Sequence, residues 1–189
     1  MNKLKYMVKN IKFIFNTKDF ILYILNRIEP TKSDKIRLNK IAFFVEFAYI
    51  FYNNKNLSNA KYAAIDKGPV IDGYDTILKE MSKEKLITIN GFVLRPLANS
   101  KADVPSDVAS FIESIIDKYS KLSQSELIAL SHDTDSYKIT TNNEKQMGNI
   151  INKKLAILEA FFCNDDGEQE INENNLPAFD KSKLVEYEL

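Results

Sequence analysis

The chain is 189 residues long, 44% hydrophobic and 28% charged, with only five glycines and five prolines. That profile is globular rather than low-complexity, and the length suits one ordinary domain plus a short appendage. The single cysteine, Cys163, excludes an internal disulfide framework and any multi-cysteine zinc site.

Lysine and arginine total 26 and so do aspartate and glutamate, but they are unevenly placed. Residues 1–56 hold 11 basic residues against four acids, and residues 159–189 hold two against nine. Each end is either a solvated face or a surface for a partner of opposite charge. Lys5, Lys9, Asn10 and Lys12 interrupt any apolar signal-peptide core. The most apolar run, 41–52, contains Glu46 and is far short of the ~20 residues a membrane span needs. A cytoplasmic protein with no membrane insertion is the expectation.

The first predicted helix runs from Asp19 to Ile28, with Thr17 as the cap candidate and Pro30 as the stop. The second, Ser33 to Asn54, is the hydrophobic centre. Ile41, Phe44, Val45, Ala48, Tyr49 and Tyr52 recur at helical spacing, and Phe43, Phe47, Ile50 and Phe51 fill much of the rest. A helix apolar on nearly all sides is buried on nearly all sides, so the rest of the fold should pack around it.

A short helix is expected over Ser58 to Asp66, ending in a fixed corner at Lys67-Gly68-Pro69-Val70. A fourth helix, Asp72 to Glu84, carries Tyr74, Ile77, Leu78 and Met81 on one face. Leu86 to Pro96 then reads as a β-hairpin, its two β-rich runs joined by Asn90-Gly91 in a type I′ turn. Val108, Phe111, Ile112, Ile115, Ile116 and Tyr119 form the stripe of a further helix. Ser123-Gln-Ser-Glu126 is a capping box for the helix bearing Leu127 and Leu130. A last helix is expected over Asn143 to Phe162, burying Met147, Ile150, Ile151, Leu155, Leu158 and Phe162. The predicted fold is mainly α: one compact helical domain over 1–163 around a central buried helix, a small wing-like hairpin after the fourth helix, and a mobile acidic tail over 164–189.

Reactive chemistry is sparse. His132 and Cys163 are the only histidine and thiol, and they fall in separate predicted elements. There is no glycine-rich phosphate loop and no H-E-x-x-H, so no cofactor, no metal and no catalytic residue is assigned. His132, Asp133 and Asp135 offer at most three metal ligands, fewer than hard cations take. Helix, corner, helix and hairpin is the order of a winged helix-turn-helix. The would-be reading helix, however, carries Asp72, Asp75, Glu80 and Glu84, which opposes phosphate neutralisation. Lys3, Lys5, Lys9 and Lys12 interleave with apolar residues at the amino terminus, a pattern open to a membrane surface or to the protein's own core.

Three stretches together resemble the Panacea domain, the SocA-like antitoxin family. Leu38-Asn-Lys40-Ile-Ala-Phe43-Phe44 is similar to that family's "L-x-K-L-L-Y-F" helix. Ala64-Ile65-Asp66-Lys67-Gly68-Pro69-Val70, with Tyr74 after it, is similar to "A-W-x-x-G-P-V" and a downstream tyrosine. Leu127 to Tyr137, with Ser131-His132, is similar to "L-x-x-L-[ST]-H-x-x-x-P-W". Ile65 replaces a tryptophan, and Ser136-Tyr137 replace proline and tryptophan. The resemblance implies a helical antitoxin that neutralises a toxin encoded beside it by direct contact. Toxins paired with the family are varied, one relative delivers its toxin to a Clp-type protease, and related proteins are common in prophages and mobile elements. Lys67, Gly68, Pro69, Val70, Tyr74, His132, Asp133 and Tyr137 are the candidate partner-binding residues, because short polar corners often carry recognition.

Overall fold

The computed structural model describes residues 13–163. The acidic tail expected over 164–189, and the first 12 residues of the basic stretch, lie outside the described residues.

Helix α1, Thr17–Leu25, starts at Asn16, whose side chain accepts a 2.9 Å bond from the Asp19 amide. The cap is therefore Asn16 rather than Thr17, which is turned instead to Asn59 at 2.8 Å. A 3₁₀ turn, Pro30–Lys32, leads to α2, Lys35–Asn53, capped by the carboxylate of Asp34 on the Arg37 amide at 2.8 Å. Every residue of α2 from Arg37 to Ile50 is buried, as its all-round apolarity demands, but the last turn leaves the core: Phe51 is only half-buried and Tyr52 is exposed, contrary to expectation. Later helices and the first hairpin surround it. Phe44 stacks on Tyr119 with centroids 4.1 Å apart, and the Tyr62 hydroxyl donates to the Ala42 carbonyl at 2.9 Å. Each fully buried phenylalanine contributes roughly 1.5–3 kcal/mol of burial.

The segment expected as a helix over 58–66 is not one. Strands β1, Tyr62–Ile65, and β2, Gly68–Ile71, form an antiparallel hairpin with Ile65 opposite Gly68 and Tyr62 opposite Ile71. Two tertiary features hold it extended. The buried Glu46 carboxylate accepts from the Leu57 and Ser58 amides and from the Ser58 hydroxyl, fixing the approach to β1. The other edge of β1 bonds residues 148–151: Ala64 N–H to Asn149 at 2.9 Å and Ile151 N–H to Tyr62 at 2.8 Å. A corner flanked by helices, as a helix-turn-helix requires, is thus not formed at Gly68-Pro69.

Helix α3, Tyr74–Lys83, buries Leu78 and Met81. Strands β3, Ile87–Asn90, and β4, Val93–Pro96, form the expected hairpin, shifted by one residue at its turn. Asn90 pairs with Val93, so Gly91-Phe92 make the turn, and of these only Gly91 has positive φ, +60°. That is a II′ arrangement, with glycine first, rather than I′.

Helix α4, Ser106–Ser120, buries Val108, Ile112, Ile116 and Tyr119. The capping box of α5, Gln124–Asp133, is present in both directions: Ser123 N–H to Glu126 at 2.7 Å and Glu126 N–H to Ser123 Oγ at 3.2 Å. Helix α6, Asp135–Thr141, is capped from a distance by buried Glu159, which accepts from the Asp135 and Ser136 amides at 2.8 and 2.9 Å.

The long helix expected over 143–162 is absent. Asn142, Asn143, Glu144 and Gly148 all take positive φ, the chain pairs with β1, and only a 3₁₀ segment, Lys153–Leu158, and α7, Ala160–Cys163, follow. Ile151 and Phe162 are buried as expected, whereas Met147, Ile150 and Leu158 are exposed. No helix among the described residues is long and apolar enough to cross a membrane.

Candidate functional site

The β1–β2 hairpin is gripped by two adjacent residues of α2. Asn39 accepts from the Ile71 amide at 2.8 Å, and the Lys40 ammonium donates to the Pro69 carbonyl at 2.9 Å. Asn39 is anchored at its other end by a 2.8 Å bond from its amide nitrogen to the Lys35 carbonyl. Both side chains reach the hairpin because α2 is buried on every face, so even its polar residues point into protein.

Gly68 lies at the centre of this grip, at φ +83° just after the Asp66-Lys67 turn. A Cβ there would overlap Ser131 Oγ, and would sit 2.8 Å from Lys40 Nζ and 3.1 Å from His132 Cδ2. Glycine is required twice over, by conformation and by space. His132 stacks on Tyr137 with centroids 4.6 Å apart, and its Nδ1 meets the Glu144 carboxylate at 2.6 Å. Its Nε2 is buried and has no hydrogen-bond partner among the described residues. The Tyr137 hydroxyl returns to the hairpin, donating to the Ile65 carbonyl at 2.9 Å. Burial first, then the nearby Glu144 and Asp66 charges, pushes the Tyr137 hydroxyl above its ordinary pKa.

The electrostatics of the site centre on Lys40, which is 1% exposed. Desolvation lowers its ammonium to a pKa of about 7, and among the described residues no charge partner offsets the burial. Lys40 is thus poised between charged and neutral forms near neutrality.

Above this knot lies a cleft of about 110 Å³. Lys35, Asn39, Lys40 and Lys67 supply its polar lining, and Ile36, Ile65, Val70, Tyr74 and Phe92 its apolar walls. Phe92, at the tip of the second hairpin, is 71% exposed. Among the described residues no cluster of histidine, cysteine and acidic side chains is placed to hold a metal.

The three sequence stretches singled out above therefore meet at one glycine: Lys40 from the first, Gly68 from the second, Ser131 and His132 from the third. The family model described as "Antitoxin SocA-like, Panacea domain" matches residues 38–138, from the start of this grip to just past Tyr137. The chain belongs to the Panacea-domain family of SocA-like antitoxins. No curated protein and no solved structure matches it.

Within this Panacea domain the predicted residues divide by role. Lys67, Val70 and Tyr74 line the cleft. Gly68 and Pro69 are buried, and Tyr137 is fully buried as packing. His132 packs against Gly68 and Tyr137 without lining the cleft, and exposed Asp133 is instead 3.3 Å from Lys138. The two departures from the family pattern also part company. Tyr137 replaces tryptophan inside the core, whereas Ile65 replaces it on the cleft wall.

Lys40 stands within the first motif, yet neither it nor Asn39, Ile65 or Glu144 is among the site residues expected from the sequence. A signal existed for two of them. Asparagine and lysine side by side in a helix otherwise apolar all round are polar groups destined for burial, and buried polar groups need specific partners. Nothing local marked Glu144, which reaches His132 only through the left-handed turn after α6.

Proposed function

We propose that this Panacea-domain protein is a cytoplasmic antitoxin that neutralises a toxin encoded nearby by direct protein contact, with the cleft face as the contact surface. Membership of the antitoxin family carries the reading. The cleft supports the choice of surface: a half-buried tyrosine, an exposed hairpin phenylalanine and an exposed lysine stand around a rigid concavity. Protein interfaces draw most of their affinity from a few such anchors on a preorganised scaffold. The scaffold is preorganised here by Asn39 and Lys40, which tie the hairpin to the central helix.

The test is co-expression with the product of the adjacent gene. The two chains should co-purify and growth should recover, with toxin abundance unchanged if neutralisation is by occlusion. A toxin level that falls only where a Clp-type protease is present would mean delivery to that protease instead. If no neighbouring product is toxic and none co-purifies, the antitoxin reading fails.

A further inference from the structure

We propose that the cleft reads a carboxylate: an aspartate or glutamate side chain of the partner protein enters between the apolar walls and pairs with the ammonium of Lys40. The proposal takes the source of the carboxylate from the antitoxin reading and its chemistry from the cleft itself.

Three observations carry it. First, the cleft gathers Lys35, Lys40 and Lys67, and among the described residues only Lys35 has a carboxylate partner, Asp75 at 3.0 Å. The uncompensated charge calls for an anion. Second, the Lys40 ammonium has three donors, and among the described residues its one hydrogen bond goes to the Pro69 carbonyl. A buried donor without an acceptor is costly, and a carboxylate offers several acceptor positions together with the missing negative charge. Third, the space of about 110 Å³ is well below the ~300 Å³ at which small-molecule pockets begin, yet it accepts a carboxylate on a short stem. Tyr74, Ile65 and Phe92 provide the apolar contact such a stem needs. A side chain delivered by a protein fits these dimensions, and a nucleotide does not.

Binding of this kind depends on Lys40 being protonated. It should weaken as pH rises through about 7, where burial has placed the ammonium. The other charged or titratable groups around the cleft and Gly68 are Lys35 with Asp75, Lys67, Asp66, the phenols of Tyr74 and Tyr137, and His132 with Glu144. All of them survive in Lys40→Met, so a pH slope lost on that substitution belongs to Lys40.

The experiment titrates the full chain with acetyl-Leu-Glu-Phe-amide and with its glutamine counterpart, followed by amide resonances at pH 6 and pH 8.5. The glutamate peptide should give saturable shifts at Asn39, Lys67 and Gly68 and bind roughly tenfold tighter than the glutamine peptide at pH 6. That preference should shrink at pH 8.5 and disappear in Lys40→Met. Should Lys40→Met fail to fold, Lys67→Glu provides the second arm, weakening the glutamate peptide but not the glutamine one. Equal affinity for the two peptides, no saturation, or a preference that survives both substitutions overturns the proposal. Growth protection separates the two readings. If the wild type and Lys40→Met protect equally against a neighbouring toxin, the cleft is not where the toxin's carboxylate binds, while the antitoxin role stands. If the wild type protects against nothing, the antitoxin role falls and the titration alone decides whether the cleft reads carboxylates.

Discussion

The Lys40 ammonium and the Pro69 carbonyl, 29 residues apart in the chain, meet at 2.9 Å inside the protein, and a Cβ added at Gly68 would lie 2.8 Å from the same nitrogen. This contact ties the central helix to the first hairpin, and among the described residues the buried cation has no counter-ion.

Gly68→Ala should be strongly destabilising. The residue sits at φ +83°, and an added methyl would overlap Ser131 Oγ and crowd Lys40 Nζ at 2.8 Å. Left-handed strain costs ~1–2 kcal/mol and overpacking a further ~1–3 kcal/mol. Gly73→Ala is the matched control: its φ is +68° and nothing lies within 4 Å, so only the strain should appear. Urea denaturation of the two variants measures the difference, and equal losses would mean that crowding at Gly68 is relieved by small shifts.

Lys40 gives stability a definite pH dependence. In the unfolded chain the amine holds its proton up to about pH 10.4, whereas in the folded protein burial lowers its pKa to about 7. Between these values the unfolded state binds more protons, so stability rises with pH, by up to on the order of 4 kcal/mol across the window. Below pH 7 the cost of the buried charge is felt in full. Lys40→Met removes the charge but leaves the Pro69 carbonyl unpaired. It should match or exceed the wild type in stability at pH 6 and lose about 3 kcal/mol relative to it by pH 9.5. Lys153, whose pKa is also lowered by burial, is present in both proteins and cancels in the comparison. Parallel stability curves for the two proteins would contradict this account.

Glu46 should be the most sensitive charged residue of the core. Its carboxylate is fully buried and accepts from Lys153 at 2.7 Å, from the Leu57 and Ser58 amides and from the Ser58 hydroxyl. Glu46→Ala strands an ammonium and two amides together, with an expected loss of about 3–5 kcal/mol. Glu46→Gln keeps one acceptor and should lose less. Denaturation midpoints settle the order, and a mild Glu46→Ala would show that water replaces the carboxylate.

Surface variants should separate binding from folding. Lys67 and Phe92 are exposed at the cleft, so Lys67→Glu and Phe92→Ser should change stability by no more than ~0.5 kcal/mol. Each should nevertheless weaken partner capture by roughly tenfold or more if the cleft face is the contact surface. Full retention of capture by both would place the contact elsewhere.

Much of the architecture was legible because its signals are local. The α2 boundaries, the Ser123–Glu126 capping box, the apolar stripe of α4 and the second hairpin all follow from spacing and from side chains reaching their own backbone. The failures are equally specific. Tyr62-Ala-Ala-Ile65 has neither a clear helical nor a clear strand period, and the bonds that make it a strand come from β2 and from residues 148–151. The run after Asn143 has apolar residues at near-helical spacing. Three successive left-handed residues and Gly148 break it, and the paired asparagines and the glycine were the available warning.

What the sequence determined by itself is the central apolar helix, the Ser123–Glu126 capping box and the family to which the chain belongs, because each depends on residues within a few positions of one another or on recurring motifs. What only the tertiary structure decided is that Lys40, Gly68 and His132 share one point, that Tyr137 is core while Ile65 faces the cleft, and that Lys40 is buried with no counter-charge among the described residues. Desolvation and steric exclusion act through space, and a one-dimensional pattern carries no record of which distant groups will meet.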